Sequence, residues 1–108
     1  MARATLIAHS SPTSPEQEEA FNDWYTKIHV PQVREAIPSI TEVSRYRTVD
    51  PTGHNKEIRY IAVYEIDIDD VAIAAAQLGA AMQGGTMDMD DAMDLSANPP
   101  VIFWGQAV

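Results

Sequence analysis

The sequence predicts an α+β fold whose elements follow one another as βαββαβ, a four-stranded antiparallel sheet with two helices on one face. Three observations lead there. Two stretches carry helical spacing between recognisable start and stop signals, and four short stretches read as strands. The third and fourth of those strands are apolar on both faces, so their sheet needs a second cover besides its helices.

Residues 5–9 are short, apolar and partly β-branched, and read as the first strand. Ser10-Ser11-Pro12-Thr13-Ser14-Pro15 then marks a loop and a helix entry, with Ser14 as N-cap, Pro15 at the first helical position and Gln17 completing a capping box. Glu16, Glu18 and Glu19 complement the helix dipole. Ala20, Phe21, Trp24, Ile28 and Pro31 fall within about 100° of arc and form the expected buried stripe, with Tyr25 and His29 on its flank. Pro31 removes a donor and strands the Lys27 carbonyl, so the helix should bend or restart there, and Ile37-Pro38 ends it.

Residues 40–49 alternate, with Glu42, Ser44, Tyr46 and Thr48 opposite Val43, Arg45 and Arg47. Asp50-Pro51-Thr52-Gly53-His54-Asn55 is a turn leading into a third strand over 57–66, where Ile61 and Val63 oppose Ile58, Tyr60, Ala62 and Tyr64. Asp69 or Asp70 caps a second, alanine-rich helix that runs to about Met82 and stops at Gly84-Gly85. Residues 101–106 close the chain as a strand with Val101 and Phe103 opposite Ile102 and Trp104. This order is the split βαβ arrangement of ferredoxin-like domains. Helices cover one face of such a sheet, and a second copy of the same sheet is the simplest cover for the other.

At 108 residues the chain fits one domain over 1–108. A net charge of −9 and only seven scattered Lys and Arg argue against nucleic acid and against anionic membrane surfaces as partners. No apolar run approaches the ~18 residues needed to span a bilayer, and the N-terminal residues lack the apolar core of a signal peptide, so a cytoplasmic location is expected. With no cysteine there are no disulfides, thiolate metal sites or cysteine nucleophile.

The stretch Phe21-Asn22-Asp23-Trp24-Tyr25, then His29-Val30-Pro31, then Arg45-Tyr46-Arg47, resembles the EthD-like branch of the dimeric α+β barrel superfamily. The resemblance implies a homodimer of face-to-face sheets enclosing a pocket for a small molecule. It also raises the functional reading of His29, because some relatives use a helix histidine here for proton transfer, and of Tyr46, because related lactone isomerases and polyketide cyclases pair such a histidine with a tyrosine.

The residues support the same candidates on chemical grounds. His29, with an ordinary pKa near ~6.5, suits proton transfer beside a proline that opens the backbone, although a histidine there can equally bond the freed carbonyls. A buried phenol at Tyr46 could donate to a carbonyl or a developing enolate, or simply pack across strands. Arg45 or Arg47 could hold a carboxylate or pair with surface acids. His9 ends the first strand and could share a mouth with His29. Trp24, Tyr25 and Trp104, with Tyr60 and Tyr64, are core aromatics of which one or two should line a cavity. His54 belongs to a polar turn.

Other chemistries lack their signatures. Ser10 and Ser11 sit in no nucleophile elbow. Asp88, Asp90, Asp91 and Asp94 lack the glycine and terminal glutamate of a calcium loop, and the three histidines lack zinc spacing. No glycine-rich phosphate loop is present, so no nucleotide or flavin cofactor is expected, while haem on His29 is a minor alternative drawn from the superfamily. Met82, Met87, Met89 and Met93 bracket Gly84-Gly85 and read as gap-filling, or as a movable lid. The expected function is a cofactor-independent isomerase, cyclase, dehydratase or decarboxylase (an isomerase or lyase type) acting on a carbonyl-bearing, partly apolar metabolite. A non-catalytic binding protein and a cofactor-free monooxygenase are the alternatives.

Overall fold

A computed structural model describes residues 3–55, 57–85, 87 and 90–108. Strands β1 (Ala4–Ser10), β2 (Ile40–Arg47), β3 (Tyr60–Ile66) and β4 (Val101–Gln106) form one sheet in the order β2-β3-β1-β4. Every neighbouring pair is antiparallel. The helices are α1 (Glu18–Trp24), a π-helical turn (Tyr25–His29) and α2 (Val30–Ala36), which run on without interruption, and α3 (Val71–Gln83).

Strand alternation sorts the side chains into two layers. Arg45, Ala62, Ala8 and Ile102 lie in one cross-sheet row, and Val43, Tyr64, Leu6 and Trp104 in another, both beneath the helices. The intervening rows, Tyr46-Ile61-His9-Val101 and Ser44-Val63-Ile7-Phe103, point to the other face. On the helix side Leu6, Ala62, Tyr64 and Ile66 are buried against Phe21, Tyr25, Val33, Ile37, Ala74 and Leu78. Fully burying side chains of this size contributes roughly 1.5–3 kcal/mol each, so this layer is the main source of stability. On the other face no helix lies, and Tyr46, Val101 and Phe103 are exposed.

The helix entry differs from expectation. Ser14 holds the N-cap position with extended backbone, but its side chain makes no capping bond. The first turn is instead a 3₁₀ turn over Pro15–Gln17, in which the Gln17 N–H bonds the Ser14 carbonyl at 3.0 Å and the Glu18 N–H bonds that of Pro15. Backbone carbonyls thus take up donors that the capping box would have satisfied.

The larger difference lies at Pro31. The helix does not break there; it widens just before it, and the Val30 N–H reaches back five residues to the Tyr25 carbonyl. A π turn inserts one residue, so everything after it is rotated by about 100° relative to an unbroken α-helix. That rotation corrects the expected stripe. Ile28 and Pro31 turn to solvent, and Val33 and Ile37 turn in to join Phe21, Trp24 and Tyr25. His29 moves from the flank to the buried side.

The remaining elements need little revision. Asp70 caps α3 by accepting the Ala72 N–H at 3.0 Å, and Gly85, at φ 73°, supplies the left-handed residue that stops it. β3 begins at Tyr60 rather than 57, because Asp50 gathers Thr52 and Asn55 into a broad turn and Asn55 accepts the Glu57 N–H. The loop before β4 is tied down: Thr13 N–H bonds the Ala92 carbonyl, Asp94 N–H bonds that of Ser11, and Arg59 reaches Ser11 and the Asn98 and Pro99 carbonyls.

Candidate functional site

A cavity of about 350 Å³ opens between the sheet and the helices. Its walls come from β1 and β3 below, α2 and α3 above, and the tied-down loop at one end. Leu6, Ala8, Val33, Leu78 and Ile102 make most of it apolar, with Met82, Met87 and Met93 at its edges. Among the described residues that line it, the polar groups come from His9, Ser10, Tyr25, His29 and Tyr64.

The π turn is what aims His29 at this cavity. Its ring stacks on Trp24 at 4.9 Å between centroids and 29° between planes, and it meets Tyr25 edge-on at 4.7 Å. These contacts hold the imidazole in one orientation. Its Nδ1 is buried and has no hydrogen-bond partner. Burial, and secondarily the charge of Arg45, push its pKa down from the ordinary value to about 4, so the ring is neutral at physiological pH.

Two phenols accompany it. Tyr25 and Tyr64 are both buried to about one per cent exposure. The Tyr64 hydroxyl makes no hydrogen bond of standard geometry, although the two phenols lie close enough to influence each other. Burial raises both phenols above their ordinary pKa, and Arg45 partly opposes that rise. An orphaned buried polar atom is costly in a native fold unless something meets it. Here two such atoms, His29 Nδ1 and Tyr64 Oη, belong to residues that line one apolar cavity.

Arg45 stands behind this group rather than in it. Its guanidinium lies 4.2 Å from the Tyr25 ring centroid and 5.3 Å from that of Tyr60, and donates to Asn22 Oδ1 at 3.0 Å and Thr26 Oγ1 at 3.2 Å. Asn22 in turn donates to the Tyr60 hydroxyl, and Tyr60 donates to Glu18, which also pairs with Arg47 at 2.7 Å. The hydrogen bond from Tyr60, and then that from Arg47, hold the Glu18 carboxyl below its usual range. Arg47 therefore follows the surface-pairing expectation. Among the described residues Arg45 pairs with no acid, and it is not one of those that line the cavity.

The structure brings together His29, Tyr25 and, through its stacking, Trp24, whereas the His9 side chain belongs to the row on the other face of the sheet. It does not bring Tyr46 to them. Strand alternation puts Tyr46 on the opposite face of the sheet from Arg45, 57 % exposed and opposite Ile61, so no His29–Tyr46 pair forms within the protomer. Trp104 packs on the core beside Leu6, away from the cavity walls. His9 borders the cavity at the end of β1 while its ring packs edge-on against Phe103 at 5.8 Å. Tyr64 and Ser10 join the site from positions that carried no signal beyond strand alternation. Tyr64 was legible as a core aromatic, but its unpartnered hydroxyl was not.

The acidic run caps its own loop. Asp94 accepts the N–H groups of Ser96, Ala97 and Asn98, which holds its carboxyl below the usual range, and Asp90 accepts that of Ala92. Asp88 and Met89 lie outside the described residues. Among the described residues no group of three or more His, Cys, Asp or Glu could hold a metal ion, and no helix is long and apolar enough to cross a membrane.

No family model and no curated protein matches the sequence. Solved structures do. An EthD (ethyl tert-butyl ether D) family protein from Bacillus halodurans aligns over 100% of both chains at 22% identity and TM-score 0.56. A dimeric ferredoxin-like protein from an uncultured marine organism aligns over 100% of this chain and 97% of its own at 13% identity and TM-score 0.61. An EthD-like protein from Ralstonia eutropha aligns over 97% and 92% at 12% identity and TM-score 0.56. The chain has the ferredoxin-like fold that these EthD-like and dimeric proteins share. That fold is compatible with a small-molecule enzyme or a binding role.

Proposed function

We propose that this protein is a homodimeric, cofactor-independent enzyme that transfers a proton on a small carbonyl-bearing, partly apolar molecule bound between sheet and helices. The observation that carries the reading is an apolar cavity lined by His29, whose buried Nδ1 has no hydrogen-bond partner, and by Tyr64, whose buried hydroxyl has no partner of standard geometry and lies beside that of Tyr25. A substrate carbonyl would accept from Tyr64. With its own hydrogen on Nε2, His29 would present a lone pair at Nδ1 to a C–H bond beside that carbonyl. The proton passes to Nδ1, the C–H electron pair becomes an enolate held by Tyr64, and the imidazolium returns the proton to another carbon or to a leaving oxygen. Isomerisation, cyclisation and dehydration share this first step.

A low pKa makes His29 a weak base in the empty site. The enolate that forms beside it raises its proton affinity as the reaction proceeds, so the ion pair is made only when needed. The open sheet face supports the dimer, since Tyr46, Val101 and Phe103 leave an apolar surface that a second sheet would cover. Tyr46 then belongs to that interface. The test is turnover on a panel of enolisable ketones and lactones. His29→Ala should lower it by about a hundredfold or more, the usual scale for a general base, and His29→Asn should not restore it. Full activity in folded His29→Ala would leave a binding protein as the reading.

A further inference from the structure

We infer that the cavity is selective for charge: it admits an uncharged carbonyl compound and excludes the carboxylate of the same size and shape. The inference rests on the proposed site and names the class of ligand it takes. Its volume of about 350 Å³ lies at the small end of ligand pockets, roughly 300–1,000 Å³, which suits a compound of about two fused rings.

The walls supply no counter-charge. Among the described residues that line the cavity there is no Lys, Arg, Asp or Glu. The groups around His29 are Tyr25 on its own helix, Tyr64 on β3 and Arg45 on β2, His9 at the cavity's edge turns its ring to Phe103 on the other face of the sheet, and neither α3 nor β4 contains a charged residue. Arg45 is the cation that acts on His29, but it is not among the described residues that line the cavity, the Tyr25 ring stands against its guanidinium, and its two Nη atoms donate to Asn22 and Thr26 while its buried Nε has no partner. The chain as a whole carries −9, which further disfavours an incoming anion.

A carboxylate entering this space would lose its hydration without gaining a cation, which is costly. A ketone loses less, and its one acceptor finds the unpartnered Tyr64 hydroxyl. The enolate of the reaction is a different case, because it arises inside together with a protonated His29 and the pair is neutral. An external carboxylate can match that only by bringing a proton with it.

The experiment is calorimetric titration of the intact protein with methyl naphthyl ketone and with naphthoate, from about pH 5.5 to 8.5. The ketone should bind with a pH-independent Kd. Naphthoate should bind at least about thirtyfold more weakly at neutral pH, the scale of an uncompensated buried charge, and should gain about tenfold per unit of acidification as one proton is taken up. Both should be lost in Leu78→Trp, and in Val33→Phe should the larger substitution fail to fold, because each fills the cavity. Naphthoate binding as tightly as the ketone at neutral pH without proton uptake would overturn the selectivity while leaving the cavity as the site. Failure of both ligands to bind, or binding unchanged in folded Leu78→Trp and Val33→Phe, would overturn the site as well.

Discussion

The buried, neutral state of His29 has a direct consequence for stability. Its pKa is about 4 in the folded chain and near 6.5 when exposed, so as pH falls the unfolded chain takes up the proton first. The unfolded state then binds more protons, and stability falls with pH between those two values. Above about 6.5 the ring is neutral in both states and contributes no difference. The full effect is about 3 kcal/mol, and about 2.5 kcal/mol of it should be reached by pH 4.5. His29→Gln removes the titration while leaving every other ionisable group in place. Urea unfolding followed by circular dichroism, at fixed protomer concentration and at about pH 7.5 and 4.5, should therefore show wild type losing about 2.5 kcal/mol more than the variant. On a domain of this size that corresponds to roughly 10–20 °C in Tm. Parallel losses in the two proteins would refute the burial of His29, and with it the orientation that the π turn gives it.

Four further outcomes follow from the same geometry. Tyr64→Phe should leave stability within about 1 kcal/mol of wild type, because the hydroxyl makes no hydrogen bond of standard geometry, yet should lower turnover; equilibrium unfolding and kinetics check the two halves. Asp94→Ala should cost about 1–2 kcal/mol in chemical denaturation by freeing three backbone donors at once. Phe103→Glu should yield a monomer in sedimentation equilibrium where wild type should run as a dimer, because it puts a charge on the open apolar face. Deleting Lys27 should remove the inserted residue and let the helix close into regular α turns with Val33 and Ile37 still facing the core, so the protein should stay folded, and loss of the cooperative transition in a thermal melt would contradict the one-residue insertion.

How far the sequence reached can be judged residue by residue. Alternation placed Arg45 and Tyr46 on opposite faces, and did the same for Ile102 and Phe103, because a strand's period of two leaves no choice once one residue is assigned. The two-sided strands likewise revealed a face that no helix covers. The helix was less legible. Its period of 3.6 holds only while each N–H bonds four residues back, and the π turn ahead of Pro31 broke that premise for everything beyond Tyr25. Ile28 was misplaced for that reason, and His29 was set on the flank when it belongs inside. The partner suggested for His29 is a separate matter. Arg45-Tyr46-Arg47 points to Tyr46, which lies on the other face of the sheet within the protomer, whereas the phenols that line the cavity with His29 are Tyr25 and Tyr64, the second brought there by β3 pairing with β1. Arg45 was legible as a helix-facing residue, but nothing local revealed that it would rest on an aromatic ring.

The most direct test of the account is a crystal structure of the protein with methyl naphthyl ketone bound. The account predicts the ketone beneath the helices, its rings against Val33, Leu78 and Ile102, and its oxygen within hydrogen-bond distance of Tyr64 Oη. A ketone seated instead on the open sheet face, against Tyr46 and Phe103 and out of reach of His29, would contradict it.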